Sequence, residues 1–179
     1  MPIFTDPSDF AFFISLFARY LSREPAKDKS GTSYPHYAPE LQLLSFCLMR
    51  NHFHLLLYQS AQGTMPAFMR SIMTSYSRYF NFANKRSGPL FESRYKASMI
   101  TDQSYLEHIS RYIHLNPRYW KRYPYSSFKY YKRPDEPEWI TPSLILRMFN
   151  NREEYIQFMA DYENHKLVLE QIKHTLANT

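Results

Sequence analysis

Residues 41–60, LQLLSFCLMRNHFHLLLYQS, hold two short apolar runs broken by the polar pair Arg50-Asn51. Runs of this length, separated by two turn-forming residues, predict a β-hairpin whose second strand covers His52 to Tyr58. Residues two apart on a strand share a face. His52 and His54 therefore project together, while Phe53 enters the opposite, buried face. Paired imidazoles on one rigid strand supply two ligands of a divalent metal site. Two histidines flanking an apolar residue also occur in purely structural settings, so a third donor has to come from elsewhere.

The chain around this unit reads as helices and loops. Asp6-Pro7 opens an amphipathic helix in which Phe10, Phe13, Phe17 and Leu21 recur at three- and four-residue spacing. The Pro-, Lys- and Ser-rich stretch 25–40 predicts a loop. Phe68, Ile72, Tyr76 and Tyr79 or Phe80 form the stripe of a second helix, with Thr64 as its cap and Pro66 in its first turn. Residues 86–89 read as a turn, and LFESRYKASMI (90–100) alternates like a strand. A helix over 103–116 is stopped by Pro117, and an aromatic, basic connector spans 118–133. After PDEPE at 134–138, Thr141-Pro142 opens a short helix through Phe149, and 151–176 read as a last, acidic helix. The order of elements predicts an α+β fold, with helices on an antiparallel sheet. The expected division is a catalytic domain at 1–135 and a C-terminal helical extension at 136–179.

The helix at 103–116 supplies a candidate for the missing donor. Tyr112 and Asn116 are four residues apart and lie on one face. An amide oxygen from Asn116 could complete a metal shell while the Tyr112 phenol points at a substrate bound there. His114, two residues from Tyr112, faces elsewhere. A half-buried aromatic at a helix–sheet contact is the competing reading for Tyr112, one of 16 tyrosines. A metal on a phosphodiester oxygen polarises phosphorus, and a tyrosine hydroxyl can then form a covalent phosphotyrosine that keeps the bond energy for rejoining. No GxxxxGK[ST] loop, GxGxxG fingerprint, paired-acid motif or serine triad is present.

Charge is unevenly distributed. Residues 70–133 carry 13 Lys/Arg against three acids, whereas 134–179 are net −4, within a chain of net +6. Arg70, Arg78, Lys85, Arg86, Arg94 and Lys96 are the candidate phosphate-contacting set. With aromatics at 18% of the chain, this pattern suits single-stranded nucleic acid, whose bases stack. A solvated basic face carries the same composition. Tyr119, Trp120, Tyr123, Tyr125, Phe128, Tyr130 and Tyr131 are either stacking residues or a connector packed on the sheet. The single cysteine, Cys47, rules out an internal disulfide framework and fits a reducing cytoplasm. The N-terminus has no signal-peptide pattern, and no apolar run is long enough for a membrane span.

CLMRNHFHLLL (47–57), SYSRYFN and RSGPLFESRYKA (within 75–97) and SYLEHISRYIHLNPR (104–118) resemble the REP-associated, insertion-sequence-type single-tyrosine HUH transposases of bacteria. The likeness runs roughly from Ile3 to Phe158. It implies a ferredoxin-like antiparallel sheet with helices on one face, and His52, His54 and Asn116 as ligands of Mg²⁺ or Mn²⁺. It further implies Tyr112 as the nucleophile that becomes linked to a 5′ phosphate, single-stranded or hairpin DNA as substrate, and a monomer or homodimer in the cytoplasm at the nucleoid. Members usually begin with a strand ahead of the segment matching Pro2–Phe4, so the first strand is expected to be missing here, leaving backbone groups of its neighbours unpaired. The alternatives are a catalytically impaired or domesticated nucleic-acid-binding module, and a metal-dependent hydrolase that makes no covalent tyrosine link.

Overall fold

The computed structural model describes residues 2–102 and 105–161. Its elements are α1 (Pro7–Leu21), β1 (Leu41–Met49), β2 (His52–Gln59), α2 (Thr64–Ala83), α3 (Leu106–Leu115), α4 (Phe128–Lys132), α5 (Ser143–Leu146) and α6 (Arg152–Ala160), with a 3-10 turn at Trp120–Arg122. The class is α+β, as expected. The sheet is a two-stranded antiparallel hairpin turned at Arg50-Asn51, in a register that sets Met49 against His52 and Cys47 against His54. No helix among the described residues is long and apolar enough to cross a membrane.

Helix α1 starts where sequence chemistry places it. The Asp6 carboxylate accepts from the Ser8 and Asp9 backbone N–H groups, and the Asp9 carboxylate reaches back to the Asp6 N–H. This is a capping box, with Pro7 in the first turn where a missing N–H costs nothing. The Asp9 carboxylate is buried and also accepts from Thr5 N–H and Thr5 Oγ1–H, both at 2.7 Å. At α2 the expected cap is corrected: Thr64 lies inside the helix, Gly63 precedes it in the left-handed region at φ 88°, and the Thr64 hydroxyl donates to Glu40 at 2.8 Å.

Helices cover both faces of the hairpin rather than one. On one face α1 and α2 pack with Leu43, Phe46 and Leu48, and Phe13, Phe17, Phe68, Ile72 and Tyr76 fill the space between. On the other, α3, α4, α5 and α6 enclose Leu44, Cys47 and Leu56 with Ile109, Ile113, Phe128, Tyr131, Ile145, Tyr155 and Met159. A bulge between Leu43 and Ser45 re-phases β1, so it feeds both cores and is buried for nearly its whole length.

The outer edge of β1 is paired without a further strand. Leu48 N–H donates to Tyr125 O at 2.9 Å, Ser127 N–H to Phe46 O at 2.9 Å, and Thr141 N–H to Leu43 O at 2.8 Å. Phe46 N–H donates to Ser127 Oγ at 2.8 Å, while the Tyr123 and Tyr131 hydroxyls donate to Leu48 O and Leu44 O at 2.7 and 2.8 Å. The expected orphaned backbone groups are therefore satisfied, and the aromatic connector does it. Ile3 and Phe4 N–H groups both reach Arg50 O, which ties the segment ahead of α1 to the hairpin turn.

The strand expected at 90–100 does not form. Leu90, Phe91 and Tyr95 pack on the first core and Ile100 on the second, so this segment crosses from one to the other without pairing. Leu90 and Phe91, adjacent in sequence, both turn to the first core, which a backbone that alternates between two faces does not allow. Helix α5 is shorter than the reading through Phe149. The expected final helix is seen as α6, and its continuation from 162 onward lies outside the described residues.

Candidate active site

The hairpin register decides what the two histidines face. Cys47, opposite His54, belongs to the core under α3, and Phe53 packs into the core under α1 and α2. Both imidazoles therefore look toward α3, with ring centroids 5.0 Å apart. His52 is exposed and His54 partly buried. From the facing helix the Tyr112 ring meets the His54 ring edge-on at 5.5 Å, and Asn116, the residue that ends α3, donates from Nδ2 to His54 Nε2 at 3.1 Å. Four residues singled out from sequence thus lie within one group.

The protonation pattern follows from these bonds. An amide NH₂ only donates, so His54 Nε2 carries the lone pair and Nδ1 the hydrogen. His52 Nδ1 lies 2.7 Å from Asn51 Oδ1, which only accepts, so that nitrogen bears the hydrogen and Nε2 is left as a donor to a metal. Burial, helped by the neighbouring His52, pushes the His54 imidazole down to about 4. It is neutral at physiological pH, which is the form that binds metals. Burial also pushes the Tyr112 phenol above its usual value. Two imidazoles presenting Nε2 beside an amide fit a divalent ion. Among the described residues no three His, Cys, Asp or Glu side chains cluster. The Asn116 amide is the polar side chain beside His54, and its oxygen and nitrogen exchange places by rotation about one bond, so it could act as a third donor.

The six cations are not gathered the same way. Arg70 and Arg78 are exposed on α2, Lys85 is exposed beyond its end at φ 50°, and Arg94 and Lys96 are exposed on the crossing segment. Arg78 shares a shallow groove along α2 with Met73, Thr74, Ser77 and Asn81. Arg86 is half-buried and holds the turn after α2, donating to Asn81 Oδ1 at 3.2 Å and Pro89 O at 3.4 Å.

Sequence reasoning missed the back of α3. His114 is fully buried, bonded to Tyr155 and Ser127. Arg111 is also fully buried; its guanidinium lies 4.1 Å from the Phe158 ring centroid and donates to Phe158 O at 3.2 Å. Arg111 also meets the nearby His108 at 3.0 Å, but the partners that enclose the two side chains lie 13 to 47 residues downstream, beyond the reach of local spacing.

No curated protein and no solved structure gives a significant match. The model of the family described as Transposase IS200 like matches residues 36–116, a little under half of the chain, from the loop ahead of β1 to the end of α3. That stretch contains His52, His54, Tyr112 and Asn116, and over it the chain is similar to the IS200-like transposases.

Proposed function

We propose that this chain nicks and rejoins single-stranded DNA, typically a hairpin, through a covalent 5′-phosphotyrosine at Tyr112, with His52, His54 and Asn116 holding Mg²⁺ or Mn²⁺. The observation that carries the reading is His54 itself, bonded to Asn116 at 3.1 Å and edge-on to Tyr112 at 5.5 Å. A metal bound by these three side chains would withdraw charge from a non-bridging phosphate oxygen and make phosphorus accept a nucleophile. Asn116 and His54 then fix where the phosphate sits relative to Tyr112.

The residues do the rest. The Tyr112 phenol, pushed up by burial, enters as the hydroxyl rather than the phenolate. Its oxygen bonds to phosphorus, the bond from phosphorus to the 3′ oxygen breaks, the phenolic proton leaves to solvent, and the departing 3′ oxygen takes one up. Attack by a 3′ hydroxyl reverses the step and frees Tyr112, so no nucleotide cofactor is needed. Exposed Arg70, Arg78, Lys85, Arg94 and Lys96 supply sequence-independent attraction to the phosphates.

The test uses labelled single-stranded hairpin DNA with Mg²⁺ or Mn²⁺, analysed on denaturing gels. The expected result is an adduct that survives denaturant and disappears in Tyr112→Phe. Binding without any adduct would favour the nucleic-acid-binding module. Cleavage by Tyr112→Phe would favour a hydrolase.

A further inference from the structure

Helix α3 presents Tyr112 and Asn116 to the histidines on one side. Its other side is held by a buried relay of hydrogen bonds. Phe46 N–H meets Ser127 Oγ at 2.8 Å, Ser127 Oγ meets His114 Nε2 at 2.7 Å, and His114 Nδ1 meets Tyr155 Oη at 2.8 Å. Tyr155 Oη then meets Ser110 Oγ at 3.0 Å, and Ser110 Oγ meets Glu107 O at 2.8 Å. Ser110, His114, Ser127 and Tyr155 are each 0% exposed.

Phe46 N–H can only donate, so Ser127 Oγ accepts it. The Ser127 hydroxyl faces two acceptors, Phe46 O at 3.2 Å and His114 Nε2 at 2.7 Å. The Ser110 hydroxyl likewise faces Glu107 O and Tyr155 Oη. The relay is thus anchored on backbone at both ends and holds with its hydrogens running either way. The relay starts on β1 and ends on the backbone of α3, passing through α6.

We propose that α6, acting through Tyr155 and His114, is the positioning clamp of the tyrosine helix, setting the rotation of α3 that brings Tyr112 and Asn116 to His54. This rests on the function proposed above. A rotation of α3 by about 10° carries the tip of a tyrosine side chain roughly 1.5 Å, from the helix radius and the side-chain reach. A misplacement of about 1 Å can cost on the order of a hundredfold in rate. The guanidinium of Arg111, donating to Phe158 O at 3.2 Å, is a second tie from α6 to the same helix. Tyr155 and Phe158 lie beyond the stretch 36–116 that carries the family match, so the clamp assigns a role to residues outside it.

Tyr155→Phe removes one hydroxyl and keeps the ring. The assay compares it with wild type in hairpin-DNA affinity, single-turnover adduct formation at saturating DNA and metal, and amide hydrogen exchange of α3. The expected result is affinity within about twofold, adduct formation slowed at least about tenfold, and faster exchange over 106–116 with the hairpin 41–59 unchanged. Ser127→Thr, which keeps a hydroxyl, retains the rate that Ser127→Ala loses. Should Tyr155→Phe not fold, Ser110→Ala makes a smaller lesion in the same relay and is read the same way. A folded variant with the wild-type adduct rate overturns the clamp. If wild type itself forms no adduct, the proposed reaction fails, and the clamp stands or falls on exchange: unchanged protection of α3 in the folded variant refutes it.

Discussion

The buried imidazole of His114 makes a quantitative prediction about acid. It is fully enclosed, with both nitrogens bonded, and burial pushes it down to about 3. In the unfolded chain the same group titrates near its ordinary value of 6.5. Below that value the unfolded chain binds a proton that the folded chain refuses, so stability falls as pH falls and levels off only near the folded value. Integrated from pH 7 to pH 5, this one group removes about 2 kcal/mol. His54, pushed down to about 4, acts with the same sign. The window lies above the range in which Asp6 and Asp28, both held below the usual carboxylate value by hydrogen bonds to Ser8 and Ser30, begin to titrate. The measurement is urea unfolding at pH 7, 6 and 5 in EDTA, for wild type and His114→Gln. Wild type should lose about 2 kcal/mol more than the variant between the extremes, even though the variant is less stable at every pH. Parallel losses would refute the assignment of a neutral, enclosed imidazole.

The geometry fixes further outcomes. Since His54 and Tyr112 meet within one chain, mixing His54→Ala with Tyr112→Phe should restore no adduct formation; recovery on mixing would mean that α3 is exchanged between copies. Asp6→Ala removes the acceptor for Ser8 and Asp9 N–H and should lower the midpoint of denaturant unfolding, as loss of an N-cap does. Tyr131→Phe leaves Leu44 O without its 2.8 Å donor inside the core and should cost about 1–3 kcal/mol, measured in the same way. Arg78→Ala and Arg94→Ala should each weaken binding of any single-stranded DNA and lower the salt slope by about 0.7. Arg86→Ala should instead show mainly as lower thermal stability, because that side chain holds a turn.

The parts of this molecule that obey short-range rules could be read before any coordinates. The cap at Asp6, the turn at Arg50-Asn51, the shared face of His52 and His54, and the shared face of Tyr112 and Asn116 are all consequences of spacings of four residues or fewer. What escaped reading depends on partners far along the chain. The tyrosines of the connector looked equally suited to stacking on bases and to packing. Tyr123 and Tyr131 turn out to donate their hydroxyls to carbonyls of β1, some seventy-five to eighty-seven residues earlier. The alternation at 90–100 is real, but a strand also needs an edge that accepts it, and alternation carries no information about edges. His114, two residues from Tyr112, does face elsewhere, into the core behind α3. Its buried partners could not be named, because Tyr155 looked like one more aromatic of a C-terminal extension.

Strand β1 gives the two halves of the site a common origin. His54 is paired with Cys47, and on the other edge of the strand Cys47 bridges Ser126, next to the Ser127 hydroxyl that receives Phe46 N–H. One edge thus carries the histidines and the other, through Ser127 and His114, locates α3. The distance from His54 to Tyr112 is set by two short paths from neighbouring residues of one buried strand, not by the loops between α2 and α3. Long changes in the crossing segment 90–102 should therefore leave the His54–Tyr112–Asn116 group intact. A one-residue change of register at 46–47 turns the histidines to the other face and should abolish the group altogether. Insertions of a single residue after Met99 and after Phe46 separate the two cases. The first should retain adduct formation and the second should lose it; equal loss from both would mean that the connecting segment, and not β1, holds the site together.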